Sequence, residues 1–268
     1  MKKIFTLFII LIPLSLSSCS SYLQDKLIFV PNKLPKNYVF QFDKPFEELN
    51  IKNSKGINLN GLHFYAQTKP KGAVLFLHGN ADNISRWEEH SAFWTKLGYD
   101  FFIFDYQGFG KSGGKIRNEQ ALYDDIHLMY RNVLNYFEKD KIIIAGYSIG
   151  TGLAAETAQH FGIQKLILIS PYFSFTQLAQ QKIPFVSEKS LPYKIPTYKF
   201  LLSLMEKRPD ADILIIHGKK DRIIHIQHSQ QLANLLKQKA KVWQLDCCGH
   251  KEIIKHKNFY QILTEYLR

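Results

Sequence analysis

The sequence predicts an α/β fold, with a mostly parallel central sheet flanked by helices. Three observations carry this expectation. Short, continuous apolar runs recur along the chain, as strands covered on both faces require. Longer segments with helical spacing separate them, which is the alternation of right-handed strand–helix–strand crossovers. The composition is globular: 268 residues, 46% apolar and 22% charged, with 10 Pro and 15 Gly. That excludes collagen-like, low-complexity and disordered classes, and the chain is long enough to bury a sizeable core unaided.

The first 18 residues read as an address. Lys2 and Lys3 precede an apolar run from Ile4 to Leu16, followed by Ser17, Ser18 and Cys19. This is the layout of a secretory signal, and the run is short for a membrane span. Leu16-Ser17-Ser18-Cys19 resembles a bacterial lipoprotein signal. The resemblance implies cleavage before Cys19 and lipid attachment to that residue, and several acyl chains give stable anchoring where one does not. A plain cleaved signal or an uncleaved anchor is the alternative. Ser20 follows Cys19 where an Asp tends to mark inner-membrane retention, which favours the outer membrane in a Gram-negative cell.

Residues 19–45 form an extended lead containing Pro31, Pro35 and Pro45, and 46–268 form the main domain. Glu47–Ile51 and Gly61–Ala66 read as an antiparallel start. Ala73–Leu77, Phe101–Phe104, Lys141–Ala145, Lys165–Ile169, Ile213–Ile216 and Val242–Leu245 read as strands. Helices are expected at Ile84–Leu97, Glu119–Phe137, Ser148–His160, Ile226–Lys237 and Lys255–Tyr266. Residues 171–210 break the alternation with five prolines and many aromatics. A connection this long carries its own small elements. It reads equally as a short cap over a pocket or as a helical pair packed on the sheet.

Gly146-Tyr147-Ser148-Ile149-Gly150 follows a strand and opens a helix, which is the setting of the G-x-S-x-G nucleophile elbow. The turn is so sharp that crowding two residues either side of Ser148 demands glycine. A lone serine needs a base, and the chain order Ser, acid, His is met by Ser148, Asp221 and His250. All three follow strand ends, where open parallel sheets gather their active groups. Asp246 is a rival acid, and His217 is expected to line the site. The oxyanion donors are expected to be the backbone N–H groups of Ile149 and Asn80, the latter in Leu77-His78-Gly79-Asn80. His78 is read as bracing that loop. Asp105–Ser112 is read as a structural turn, since neither phosphate-loop spacing is present.

No metal is expected: His225 and His228 alone make a weak site, and no HExxH or CxxC exists. Cys247 and Cys248 read as two small residues packed behind His250. No cofactor is implied either. With 35 Lys+Arg against 23 Asp+Glu the formal charge is +12. No basic stripe with interleaved aromatics accompanies it, so nucleic acid is not an expected partner. The excess is assigned to solvated faces and to attraction toward anionic membrane.

The stretches LHGN, DYQGFGKS, GYSIGTG, SPYFS and IIHGKKDRII, in that order, resemble the α/β-hydrolase superfamily. They are most similar to its Bem46-like group of serine hydrolases, kin of the α/β hydrolase domain-containing proteins 13 and 17. The resemblance spans roughly residues 45–268. It implies an α/β-hydrolase fold with Ser148 as nucleophile, Asp221 as acid and His250 as base. It also implies an esterase or thioesterase acting on an acyl ester or thioester, to which the lipoprotein-like signal adds anchoring through lipidated Cys19. Amide cleavage by the same residues, or a non-catalytic binding lipoprotein, are the rival expectations.

Overall fold

The computed structural model describes residues 28–237 and 239–268. The signal segment 1–18 and Cys19 lie outside the described residues. Eight strands build one sheet: β1 (Phe46–Lys52), β2 (Asn58–Phe64), β3 (Gly72–Leu77), β4 (Tyr99–Phe104), β5 (Ile142–Tyr147), β6 (Lys165–Ile169), β7 (Asp212–Gly218) and β8 (Ala240–Leu245). Their spatial order is β8-β7-β6-β5-β3-β4-β2-β1. Only β2 runs antiparallel to its neighbours, β1 and β4. The other pairs are parallel.

Among the described residues seven helices accompany the sheet: α1 (Glu88–Lys96), α2 (Glu119–Val133), α3 (Gly150–Phe161), α4 (Phe175–Lys182), α5 (Thr197–Lys207), α6 (Gln227–Leu235) and α7 (Lys257–Tyr266). The two-residue period of a strand divides the apolar runs between two cores. Ala73, Leu75 and Leu77 of β3 face a core shared with Met129 of α2, Leu153 of α3 and Leu201 of α5. Val74 and Phe76 face the opposite core, with Trp94 of α1 and Phe259 of α7. Each such Val, Leu, Phe or Met side chain contributes roughly 1.5–3 kcal/mol on full burial.

The chain leaves β3 for β4 on one side and later enters β5 on the other. The carboxyl ends of β3 and β5 therefore border the crevice where the winding direction reverses, the place where open α/β sheets hold their ligands.

Some expectations need correction. The segment expected as one helix over Ile84–Leu97 is a 3₁₀ turn at Ile84–Arg86 followed by α1. Trp87 sits at the break because its ring is buried against Phe76 and Tyr147. The helix expected from Ser148 starts at Gly150, since Ser148 has a positive φ of 56°. No residue of 171–210 lines the cavity at Ser148. Instead α5 lays Leu201 and Leu204 into the core beside α3, and Tyr172 donates its hydroxyl to the Ile149 carbonyl from behind the elbow.

Candidate active site

Ser148 sits on a backbone that its neighbours enforce. A Cβ on Gly146 would strike the Gly150 carbonyl, and one on Gly150 would strike the carbonyl of Leu77. The left-handed conformation of Ser148 costs roughly 1–3 kcal/mol. It is held by the Ser148 amide donating to the Ile169 carbonyl at 3.0 Å, and by Thr151 donating its amide and hydroxyl to the Ser148 carbonyl. The result is an Oγ lifted clear of the sheet.

The loops after β7 and β8 bring the other two residues to it. His250 Nε2 lies 2.9 Å from Ser148 Oγ, and His250 Nδ1 lies 2.7 Å from Asp221 Oδ2. All three side chains are buried. Asp221 Oδ1 accepts the amides of Ile223 and Ile224 at 2.9 Å each. Burial pushes the Asp221 carboxyl up, but the hydrogen bonds from His217 and His250, with the charge on His250 and the Ile224 amide, outweigh it. They hold the carboxyl well below the usual range. Because Asp221 is a charged acceptor, Nδ1 of His250 carries the proton and Nε2 is free to accept from Ser148.

Two residues support the site in ways the sequence does not carry. His217 does not line the cavity; it is wholly buried beneath Asp221. Its Nε2 faces the Ile224 carbonyl at 2.9 Å and Asp221 Oδ2 at 3.3 Å, while Nδ1 meets Ser229 Oγ. A carbonyl only accepts, so Nε2 carries the proton and helps fix the carboxylate. Tyr147, the variable residue of the elbow, donates its hydroxyl to the His250 carbonyl at 2.9 Å and lies beside the imidazole. Neither role has a sequence signal, because each depends on residues meeting across the fold.

The rivals separate cleanly. Asp246 is exposed and paired with Lys219 at 2.6 Å. His228 accepts the Phe173 amide at Nδ1 and faces Gln181 Oε1 at Nε2, and burial lowers it to about 4. His78 is fully buried, donates from Nδ1 to the Gly79 carbonyl, stacks on Tyr106, and is lowered to about 4 by burial. It braces its loop, as expected. In the Asp105–Ser112 turn, Asp105 accepts the Ile84 amide and Ser112 Oγ donates to the Asp105 carbonyl. Burial raises the Asp105 carboxyl well above its ordinary value.

The loop after β3 runs close to the elbow: a Cβ on Gly150 would strike the Leu77 carbonyl, and one on Gly79 would lie 3.6 Å from Ser148 Cβ; Asn80 borders the cavity at Ser148. A strap, residues Val30 and Pro31, runs parallel to Ala81 and Asp82. Val30 donates its amide to the Asn80 carbonyl at 2.8 Å, Asn32 to the Asp82 carbonyl at 3.2 Å, and Asn80 Nδ2 to the Ile28 carbonyl at 3.0 Å. A cavity of about 600 Å³ opens at Ser148 and His250. Trp87, Ile223 and Ile254 give it apolar walls, and Arg86, Lys251 and Lys255 place cations on its rim.

Among the described residues, two further clusters gather ligand-type side chains: Cys247, Cys248 and His256, and His127, Glu156 and His160. In the second, His127 Nε2 is already hydrogen-bonded to Glu156 Oε2 at 2.7 Å.

The family model described as Serine aminopeptidase, S33 matches residues 68–211, more than half of the chain. The chain belongs to this family. It is an α/β-hydrolase superfamily member of the Bem46-like type, and the match takes in the Asn80 loop and the Ser148 elbow. Asp221 and His250 lie beyond the matched stretch. The human α/β hydrolase domain-containing protein 17B is 26% identical over 230 residues, covering 81% of this chain and 73% of that one. The uncharacterized protein YfhR of Escherichia coli K12 is 28% identical over 208 residues, covering 73% and 70%. The solved Pyrococcus furiosus esterase Pf2001 shares the fold at 18% identity, with a TM-score of 0.66 over 90% of this chain and 97% of that one.

Proposed function

We propose that this α/β hydrolase is a serine hydrolase that cleaves carboxylic ester or thioester bonds through an acyl-enzyme. The observation that carries the reading is the unbroken hydrogen-bonded series from Ser148 Oγ through His250 to Asp221. Ser148 Oγ attacks the substrate carbonyl carbon while its proton passes to His250 Nε2. Asp221 stabilises the resulting imidazolium. The carbonyl oxygen becomes an oxyanion facing the amides of Asn80 and Ile149. Collapse breaks the bond to the alkoxide or thiolate, which takes the proton from His250. Water, deprotonated by His250, then releases the acid and restores Ser148. The apolar walls beside Ser148 suit an acyl chain.

The anchoring belongs to the same reading: lipidated Cys19 would hold the enzyme on a bacterial envelope membrane. Eight residues lie between Cys19 and Ile28, where the strap meets the Asn80 loop. At about 3.3–3.6 Å per residue those nine steps reach at most roughly 32 Å. The site would therefore work close to the bilayer.

The test is hydrolysis of p-nitrophenyl esters from acetate to palmitate and of acyl thioesters, with p-nitroanilides alongside. Ser148→Ala is expected to lower the rate on the order of 10⁴–10⁶-fold without lowering the thermal midpoint. Anilide turnover with inert esters would replace the ester reading by amide cleavage. Hydrolysis retained in Ser148→Ala would refute the mechanism. Cys19→Ser is expected to release the protein from membranes on fractionation, and continued sedimentation with them would refute the anchor.

A further inference from the structure

The loop that delivers His250 carries a second chemistry. Cys247 and Cys248 stand immediately before Gly249-His250. Both are free, with their sulfurs 2.7 Å apart, closer than a non-bonded pair normally sits. The two thiols are not equivalent. Cys247 is exposed and Cys248 is buried. His256 accepts the Asn258 amide at Nδ1, at 3.2 Å. Its proton is therefore on Nε2, which points at Cys247 Sγ at 3.3 Å. That donor gives the Cys247 sulfur a hydrogen-bond partner and leaves the ring no lone pair for a metal. At Cys248, burial, then the hydrogen bond with Cys247, pushes the thiol up to about 12.

We infer that Cys247 and Cys248 form a redox-active dithiol that reacts with small disulfides and, once oxidised, disables the adjacent hydrolytic site. The inference draws its activity readout from the function proposed above. In the first step Cys247 Sγ attacks one sulfur of a small disulfide, forming a mixed disulfide and expelling one thiolate. Cys248 then gives up its proton and attacks Cys247 Sγ, expelling the second thiolate. The dithiol loses two electrons, the small disulfide gains them, and the two protons end on the released thiols.

The ring that closes cannot leave the loop in place. Neighbouring Cα atoms are about 3.8 Å apart across a trans peptide, whereas disulfides ordinarily span about 4.4–6.8 Å. Closure therefore distorts the Cys247–Cys248 peptide. The Cys248 carbonyl accepts the Lys220 amide at 3.1 Å, one residue before Asp221. It also packs so tightly on Gly218 that no Cβ fits between them. His250 follows two residues on, its carbonyl tied to Tyr147. Oxidation thus pulls at the carriers of both Asp221 and His250. Strained, exposed disulfides are also the readily reduced ones, which makes the change reversible.

The test uses the full chain and its Cys19→Ser variant, so that mass changes are assigned to the pair. Each is titrated with oxidised glutathione, read by intact mass and ester hydrolysis, and then treated with dithiothreitol. The expected product has lost two hydrogens and retains no glutathione. Hydrolysis is expected to fall at least tenfold and to return on reduction. Cys247→Ser is expected to keep its activity in the oxidant, and Cys248→Ser to retain one glutathione on Cys247. A persistent glutathione adduct on the unaltered pair, no reaction at all, or a closed ring with undiminished hydrolysis would each overturn the inference. Should the reduced enzyme hydrolyse nothing, the function above fails instead. The dithiol is then judged by mass together with amide exchange at Lys220 and His250, which closure is expected to accelerate and which would refute it if unchanged.

Discussion

The two halves of the crevice are built on different principles. The elbow after β5 is closed by its own backbone. Gly146 meets Gly150, Gly150 meets the end of β3, and the strained Ser148 is held by hydrogen bonds to β6 and to the first turn of α3. The Asn80 loop opposite is held by borrowed parts. Its carbonyls and side chains are tied to the strap at 28–32, about fifty positions earlier. Tyr106 donates to the His78 carbonyl, and Asp105 takes the Ile84 amide. One half tolerates no change of shape; the other is tuned by remote contacts. A nucleophile needs a fixed position, whereas an oxyanion pocket needs two amides aimed at charge that exists only in passing.

The sharpest way to break this contrast is Gly150→Ala. The added Cβ meets backbone oxygens of Leu77 and His78, which cannot swing aside as a side chain would. A destabilisation of roughly 1–3 kcal/mol or more is expected. Because the shift reaches Ser148 and the Asn80 loop together, activity is expected to fall about 10²-fold or further. Urea unfolding and ester kinetics on the same preparation check both. A variant of native stability and rate would show that the elbow is not self-enclosed.

Acid sharpens the contrast, with a smaller effect. His78 and His90, at either end of the segment leading from the Asn80 loop into α1, are lowered to about 4, in both cases chiefly by burial. Unfolded, each titrates near 6.5. As pH falls below that value the unfolded chain binds protons that the folded chain refuses until about pH 4, so unfolding is favoured across this window. Each residue is expected to remove on the order of 1–3 kcal/mol at full effect. Asp221 behaves oppositely: its folded value lies below its unfolded one, so its contribution is intact above about pH 4 and is lost only in stronger acid. Unfolding free energy measured at pH 7, 6 and 5 should therefore decline, and His90→Phe should flatten the decline. An unchanged slope would remove the burial argument for His90, whose ring lies among Phe76, Trp87 and Phe259.

Which of these features the sequence discloses follows from their range. The buried parallel strands and the elbow are local: apolar runs of strand length, and glycines at fixed spacing around Ser148, are imposed by contacts within a few residues. Chain order then sufficed to propose Asp221 and His250, because strand ends converge. The helix break at Trp87 was not readable, since it answers to Phe76 and Tyr147. Nor was the packing of residues 171–210, where a Pro-rich aromatic stretch fits a lid and a core helix alike until Leu201 and Leu204 are seen beneath it. His217 and Tyr147 escaped for the same reason: their partners, Asp221 and the His250 carbonyl, are brought near only by folding. The strap is the extreme case. Residues 28–32 look like featureless lead, and their role rests on main-chain groups that no side chain announces.

The strap also supports the gentlest test. Val30 is half exposed and makes its one relevant contact through its amide, which donates to the Asn80 carbonyl. Val30→Pro deletes that donor and little else, because Pro31 already keeps the chain extended there. A net hydrogen bond is worth about 1 kcal/mol. If that energy holds the Asn80 amide on the oxyanion, its loss appears in the transition state and lowers kcat roughly fivefold with KM unmoved. If the strap merely adds stability, the unfolding free energy drops and kcat is unaffected. A split in which kcat falls while KM and slow-substrate binding stay constant would assign the strap to catalysis. The residues that lead into the domain would then be part of the machinery that receives the substrate's charge.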